Sequence, residues 1–98
     1  MKKIHLASII VSFLVSISIG LYATAALGNE LWVTNQKDNT ISIIESGSNE
    51  VIATIPAKGD FPHNVTFSKD GKLAYVANVG SNNVNVFNTE TRELTATI

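Results

Sequence analysis

His63 carries the most versatile chemistry in this chain outside its first two dozen residues. An imidazole titrates near neutral pH and can ligate haem iron or another metal. A metal site needs further ligands, however, and the other histidine, His5, lies at the far N-terminus. The simpler reading of His63 is a structural one, with its ring bonded to a neighbouring turn. Asp60 and Asp70 are candidate acids, bases or calcium ligands. Asp70 sits in Lys69-Asp70-Gly71-Lys72, where Asp-Gly supplies the left-handed backbone of a tight hairpin turn. Asp38 with Asn39 sits in a comparable turn, and no calcium-loop spacing is present. There is no Ser-His-Asp order, no phosphate-cradling glycine loop and no paired-carboxylate arrangement. No catalytic constellation is visible, and whether the whole protein is an enzyme stays open. Asn64-Val65-Thr66 fits a glycosylation sequon, but it lies in a run expected to be a buried strand and is read as coincidence.

Charge and cysteine content narrow the classes. Lys2 and Lys3 precede an apolar, serine-containing run from Ile9 to Leu21, and Ala23-Thr24-Ala25 offers small residues at a peptidase site. Residues 1–25 therefore read as an export signal in helical form, cleaved after Ala25, or after Ala26 with a shift of one. The rival is an uncleaved anchor, since Ile4 to Leu27 is long enough to span a membrane. Membrane contact is expected only through this segment. The expected location is exported, either periplasmic or at the cell surface. Without Lys2 and Lys3 the basic residues are Lys37, Lys58, Lys69, Lys72 and Arg92, against eight acidic ones. That balance has no basic cluster, so binding nucleic acid through its phosphates has no footing. The chain has no cysteine, so disulfides and thiolate metal sites are excluded.

The elements that must position these residues are short strands. Seven runs rich in Val, Ile, Thr and aromatics alternate with turn residues: Glu30–Asn35, Thr40–Glu45, Glu50–Ile55, His63–Ser68, Leu73–Asn78, Asn83–Asn88 and Glu93–Ile98. No longer window carries a helical apolar period. Ile41 and Ile43 alternate with Ser42, and Val84 and Val86 with Asn85, which predicts one apolar and one polar face. The runs repeat. Residues 28–55 recur as 71–98 without a gap, 43 positions later. Trp32-Val33-Thr34-Asn35 lies over Tyr75-Val76-Ala77-Asn78, and Glu50 to Ile55 over Glu93 to Ile98. Trp32 and Tyr75 then share one structural role, packing between blades. Asn35 and Asn78 share another, capping a turn with a side chain. A period of this length built from short alternating strands is the signature of β-propeller blades.

Trp32 to Asn35, Phe-Pro-His-Asn-Val-Thr-Phe-Ser-Lys-Asp-Gly-Lys at Phe61 to Lys72, and Tyr75 to Asn78 resemble the YVTN β-propeller repeat, in order, over Leu31 to Ile98. That family is defined by its scaffold rather than by one activity. The resemblance implies that His63–Ser68 is an inner strand, Leu73–Asn78 the second, Asn83–Asn88 the third and Glu93–Ile98 the rim. It also implies that the first blade starts at its second strand, Glu30–Asn35. Its inner strand would be supplied by the end of a closed chain. The expected architecture is all-β, with a signal helix followed at residues 26–98 by one complete blade of four antiparallel strands and a three-stranded partial blade. Seven blades of this size need about 300 residues. The economical expectation is an N-terminal fragment of a longer propeller, with assembly of several short chains as the alternative. Isolated blades leave apolar faces uncovered and should associate.

The implied function is an exported, non-enzymatic scaffold that binds a small molecule over the central channel or a protein on the loop face. The ligand, partner and cofactor are unspecified. The resemblance extends loosely to haem-bearing propellers of periplasmic nitrite reductases, in which inner-channel histidines matter. That would make this segment a cofactor-holding or accessory domain of a redox system, with His63 as cofactor ligand.

Overall fold

The computed structural model describes residues 22–98, and these form eight strands in two sheets. The first sheet is β1 (Tyr22–Leu27), β2 (Glu30–Asn35), β3 (Thr40–Glu45) and β4 (Glu50–Pro56). The second is β5 (Pro62–Phe67), β6 (Leu73–Asn78), β7 (Asn83–Asn88) and β8 (Leu94–Thr97). Each is a four-stranded antiparallel meander in chain order. The described residues are all-β, with the blade architecture of a propeller.

One strand corrects the sequence reading. The first sheet is not a three-stranded remainder, because Tyr22–Leu27 pairs with β2 along its whole length, from Leu27↔Glu30 to Tyr22↔Asn35. The Gly28-Asn29 connection makes this possible. Gly28 has φ +57, a conformation that costs glycine no Cβ clash and suits a two-residue hairpin loop. The expected signal lies outside the described residues up to position 21, and its last residues fall within β1. Cutting after Ala25 would sever β1 in its middle.

Turn chemistry repeats with the sequence. Asn39 and Asn82 take φ values of 57 and 56, and Asn49 and Arg92 both take 62. Each pair is 43 positions apart, so the two sheets bend their chain at matching points. The β5–β6 turn differs from the expected Asp-Gly hairpin. Gly71 alone is left-handed, at φ +75. Asp70 acts through its carboxylate, accepting the Lys72 N–H at 3.0 Å and the Ser68 hydroxyl at 2.7 Å. Those bonds and the Lys72 ammonium stabilise the ionised form and lower the Asp70 pKa.

The sheets pack face to face. Trp32, Ile41, Ile43 and Ala57 meet Val65, Ala74, Val76 and Phe87, all buried. Trp32 is fully buried and meets Phe67 edge to face, with centroids 5.6 Å apart and planes at 87°. Glu30 links the sheets at one end. It accepts from Trp32 Nε1 at 3.1 Å and pairs with Arg92 at 2.9 Å. Half-exposed ion pairs of this kind contribute about 0–1 kcal/mol.

The alternation in β7 runs opposite to the apparent polarity. Asn85 faces the first sheet and is fully buried, whereas Val84 and Val86 face away from it. The physical reason is the chain crossing beside Asn85, which supplies carbonyls for its amide.

Candidate functional site

The crossing runs from the rim of the first sheet to the inner strand of the second, over Ala57 to Phe61. Its backbone is held by both backbone and side-chain partners. Ala57, fully buried, donates its N–H to the Asn39 carbonyl at 2.9 Å. Phe61 donates its N–H to the Asn39 side-chain oxygen at 2.8 Å. Asn85 Nδ2 donates to the carbonyls of Ala57 at 2.7 Å and Lys58 at 3.0 Å. The Ser81 hydroxyl accepts from Asp60 N–H at 3.0 Å. The carbonyls of Asp60 and Phe61 accept from Gly80 and Val79 at 2.9 and 3.0 Å. The partners come from the β2–β3 turn of the first sheet and from β7 and the β6–β7 turn of the second, so the crossing is fixed by both sheets at once.

This fixing permits unusual backbone. Lys58 and Phe61 adopt φ values of 57 and 52, a region that costs a bulky residue about 1–3 kcal/mol. Gly59 has no room for a side chain, because a Cβ would lie 2.4 Å from Asn78 Nδ2. Pairing then slips between Pro62 and Asn64, leaving His63 as the extra residue of a bulge. Bulges re-aim side chains and recur beside binding sites. The His63 carbonyl accepts from Thr34 Oγ1 of the first sheet at 3.3 Å.

The outcome is a display. Backbone polar groups are consumed below, while the side chains of Lys58, Asp60, Phe61, His63 and Asn64 are exposed. Phe61 is 47 % exposed, although Pro62 next to it is buried. Among the described residues the His63 imidazole has no hydrogen-bond partner; the bonded group is its carbonyl. The exposed set combines a flat apolar ring, an imidazole, a carboxylate and an ammonium. It can stack, accept and donate around a small polar ligand. Among the described residues no group of three or more His, Cys, Asp or Glu comes together as a metal cage.

The other residues singled out from sequence fall elsewhere. Asn35 Nδ2 spans its hairpin to Thr40 and Ser42 hydroxyls at 3.0 and 2.9 Å. Asn78 Nδ2 spans its own to Asn83 Oδ1 at 3.0 Å. Trp32 lies between the sheets, while Tyr75 lies on the face of the second sheet that points away from the first. Asp70 and Gly71 belong to the β5–β6 turn. Asn64 and Thr66 of the sequon-like triplet are exposed and only Val65 is buried, so that run is not the buried strand expected. Sequence reasoning missed Phe61, Asn39 and Asn85. The first had a signal in its place before Pro-His. The second had one in its recurrence as Asn82. Asn85 looked like the solvent side of an alternation and gave none.

Comparison with known proteins agrees with this architecture. A solved structure of hydrazine synthase from Kuenenia stuttgartiensis superposes with a TM-score of 0.69 at 18% identity, covering 78% of this chain. The match spans 21% of that protein's chain, and at this identity it concerns the fold. No curated protein matches in sequence. The sequence model for "Lactonase, 7-bladed beta-propeller" matches residues 23–97, from the second residue of β1 to the end of β8. By that match the chain belongs to the seven-bladed β-propeller lactonase family.

Proposed function

We propose that this chain is part of an exported propeller scaffold built from YVTN-type repeats, and that it binds a small ligand at the loop end of the inner strand. The observation that carries this reading is the His63 bulge. A left-handed Phe61 and an extra residue in β5 are locked by bonds from both sheets, yet they present their rings to solvent. Backbone strain of this kind persists where surroundings over-determine it, and such places are commonly ligand sites. Phe61 would stack on an apolar or planar part of the ligand. His63 would donate or accept at its polar edge. The family's name makes a lactone the first small molecule to try, both as ligand and as substrate.

The test is a calorimetric titration of a lactone panel into the chain and into Phe61→Ala and His63→Ala. Both side chains are exposed, so both variants should fold. Binding that drops about tenfold or more in each supports the reading, and binding unchanged in both overturns it.

A second reading assigns the same end to a cofactor. The exposed His63 imidazole would be the residue that holds a haem, which would supply electron-transfer chemistry when bound. Phe61 would give it an apolar neighbour. The hydrazine synthase likeness motivates the experiment without deciding it. A Soret shift on haem addition that His63→Ala abolishes supports this reading, and an identical spectrum in the variant removes it.

A further inference from the structure

We propose that a signal peptidase cuts this chain at the Gly20–Leu21 bond, so that the exported protein keeps β1 whole. Ala23-Thr24-Ala25 is then a length of strand and not the processing site. This assignment, which rests on the export reading, fixes where export acts on the chain.

β1 has the marks of a built element. It pairs with β2 along its whole length. A cut after Ala25 removes the residues opposite Asn35, Thr34, Val33 and Trp32, and leaves only Ala26 and Leu27 in place. Trp32, Val33 and Thr34 are buried. Ala25 packs against the core cluster that holds Trp32 and Val65. β1 also lies against β5, the strand that carries His63. Thr34, which pairs with Ala23, donates to the His63 carbonyl. Losing β1 would open the β2 edge to unwanted pairing and take a neighbour from the strand that displays His63.

Two further observations put these residues inside the domain. Gly28 takes φ +57 to turn the chain from β1 into β2, a reversal that has no other strand to serve. The family match begins at Ala23. The Ala-x-Ala pattern also has a structural cause. Alternate residues of a strand share a face, so Ala23 and Ala25 put small groups on the side where Ala25 meets the core.

The chain holds a second processing pattern upstream. A signal peptidase reads small residues at the first and third positions before the bond it cuts. Gly20 and Ser18 fill those positions in Ser18-Ile19-Gly20-Leu21. Lys2 and Lys3 supply the positive start and Leu6 to Val15 the densest apolar stretch, and 1–20 has the usual signal length of about 15–30 residues. Ser16 and Ser18 form another small pair, but it lies closer to the apolar stretch and offers a larger residue than glycine at the cut. Residues 1–21 lie outside the described part of the chain, and their share in this assignment is their chemistry alone. Hydrolysis adds water across the bond. The Gly20 carbonyl becomes the carboxylate of the released signal, and Leu21 gains a free α-amino group one residue ahead of β1.

The test expresses the full chain in a bacterial host, separates periplasm, membrane and cytoplasm, and sequences the N-terminus in each. Periplasmic protein should begin Leu-Tyr-Ala-Thr. Gly20→Tyr, with a bulky ring at the cut, should lower the yield of that product about tenfold or more. Ala25→Val with Ala26→Val blocks both later sites with residues that a strand accepts, and should leave the yield within about twofold of the parent. Exported protein beginning Ala-Leu-Gly-Asn or Leu-Gly-Asn-Glu overturns the proposal and leaves export standing. So does a start at Ile-Gly-Leu-Tyr, or Gly20→Tyr processed like the parent. Protein that keeps Met1 in the membrane fraction overturns it in favour of an uncleaved anchor. Met1 retained in the cytoplasm overturns the export reading as well.

Discussion

At the residue scale, contact density separates the tryptophan from the histidine. Trp32 is fully buried, edge-on to Phe67 and bonded to Glu30, so Trp32→Ala should destabilise the fold by about 3–5 kcal/mol in urea unfolding. His63→Ala, on an exposed side chain, should leave that midpoint within about 0.5 kcal/mol of the parent and change ligand binding instead. Asp70 predicts a pH dependence. Its folded pKa is depressed, so its stabilising bonds are present above the ordinary value of 3.8 and are lost as pH falls through the lower folded value. Asp70→Asn should remove the part of the acid sensitivity below that ordinary value, read as a flatter unfolding midpoint between pH 4 and pH 2. An unchanged slope would assign the acid response to other carboxylates.

At the element scale, the crossing and the first strand matter most. Gly59→Ala drives a Cβ against the Asn78 amide, which Asn83 holds in place, and should cost about 1–3 kcal/mol. Asn85→Leu strands the buried Ala57 carbonyl, and a comparable loss of about 1–3 kcal/mol is expected. Both changes should also lower protection of the Phe61 amide in hydrogen exchange, because the crossing loses its frame. These costs were hidden from the sequence. Glycine at position 59 signals only a turn, and its need arises from Asn78, nineteen residues away. β1 was hidden for a different reason. Its residues Ala23-Thr24-Ala25-Ala26 are small, and small residues read equally as a peptidase site or as a strand lying close against its neighbours.

At the scale of the whole molecule, the repeat carried most of the information. Seven strands, their order and the matching turns at Asn39 and Asn82 follow from local pattern and a constant offset. Alternation names two faces of each strand, and turn residues mark each reversal. That much the amino-acid sequence determined unaided, together with the absence of disulfides and of a basic surface. The tertiary structure alone decided which face of β7 is interior, because Asn85 is made acceptable inside by carbonyls from a different sheet. It also decided that Phe61 and His63 are displayed while Pro62 between them is buried. A bulge depends on the register of two strands, and register is settled by packing across the interface.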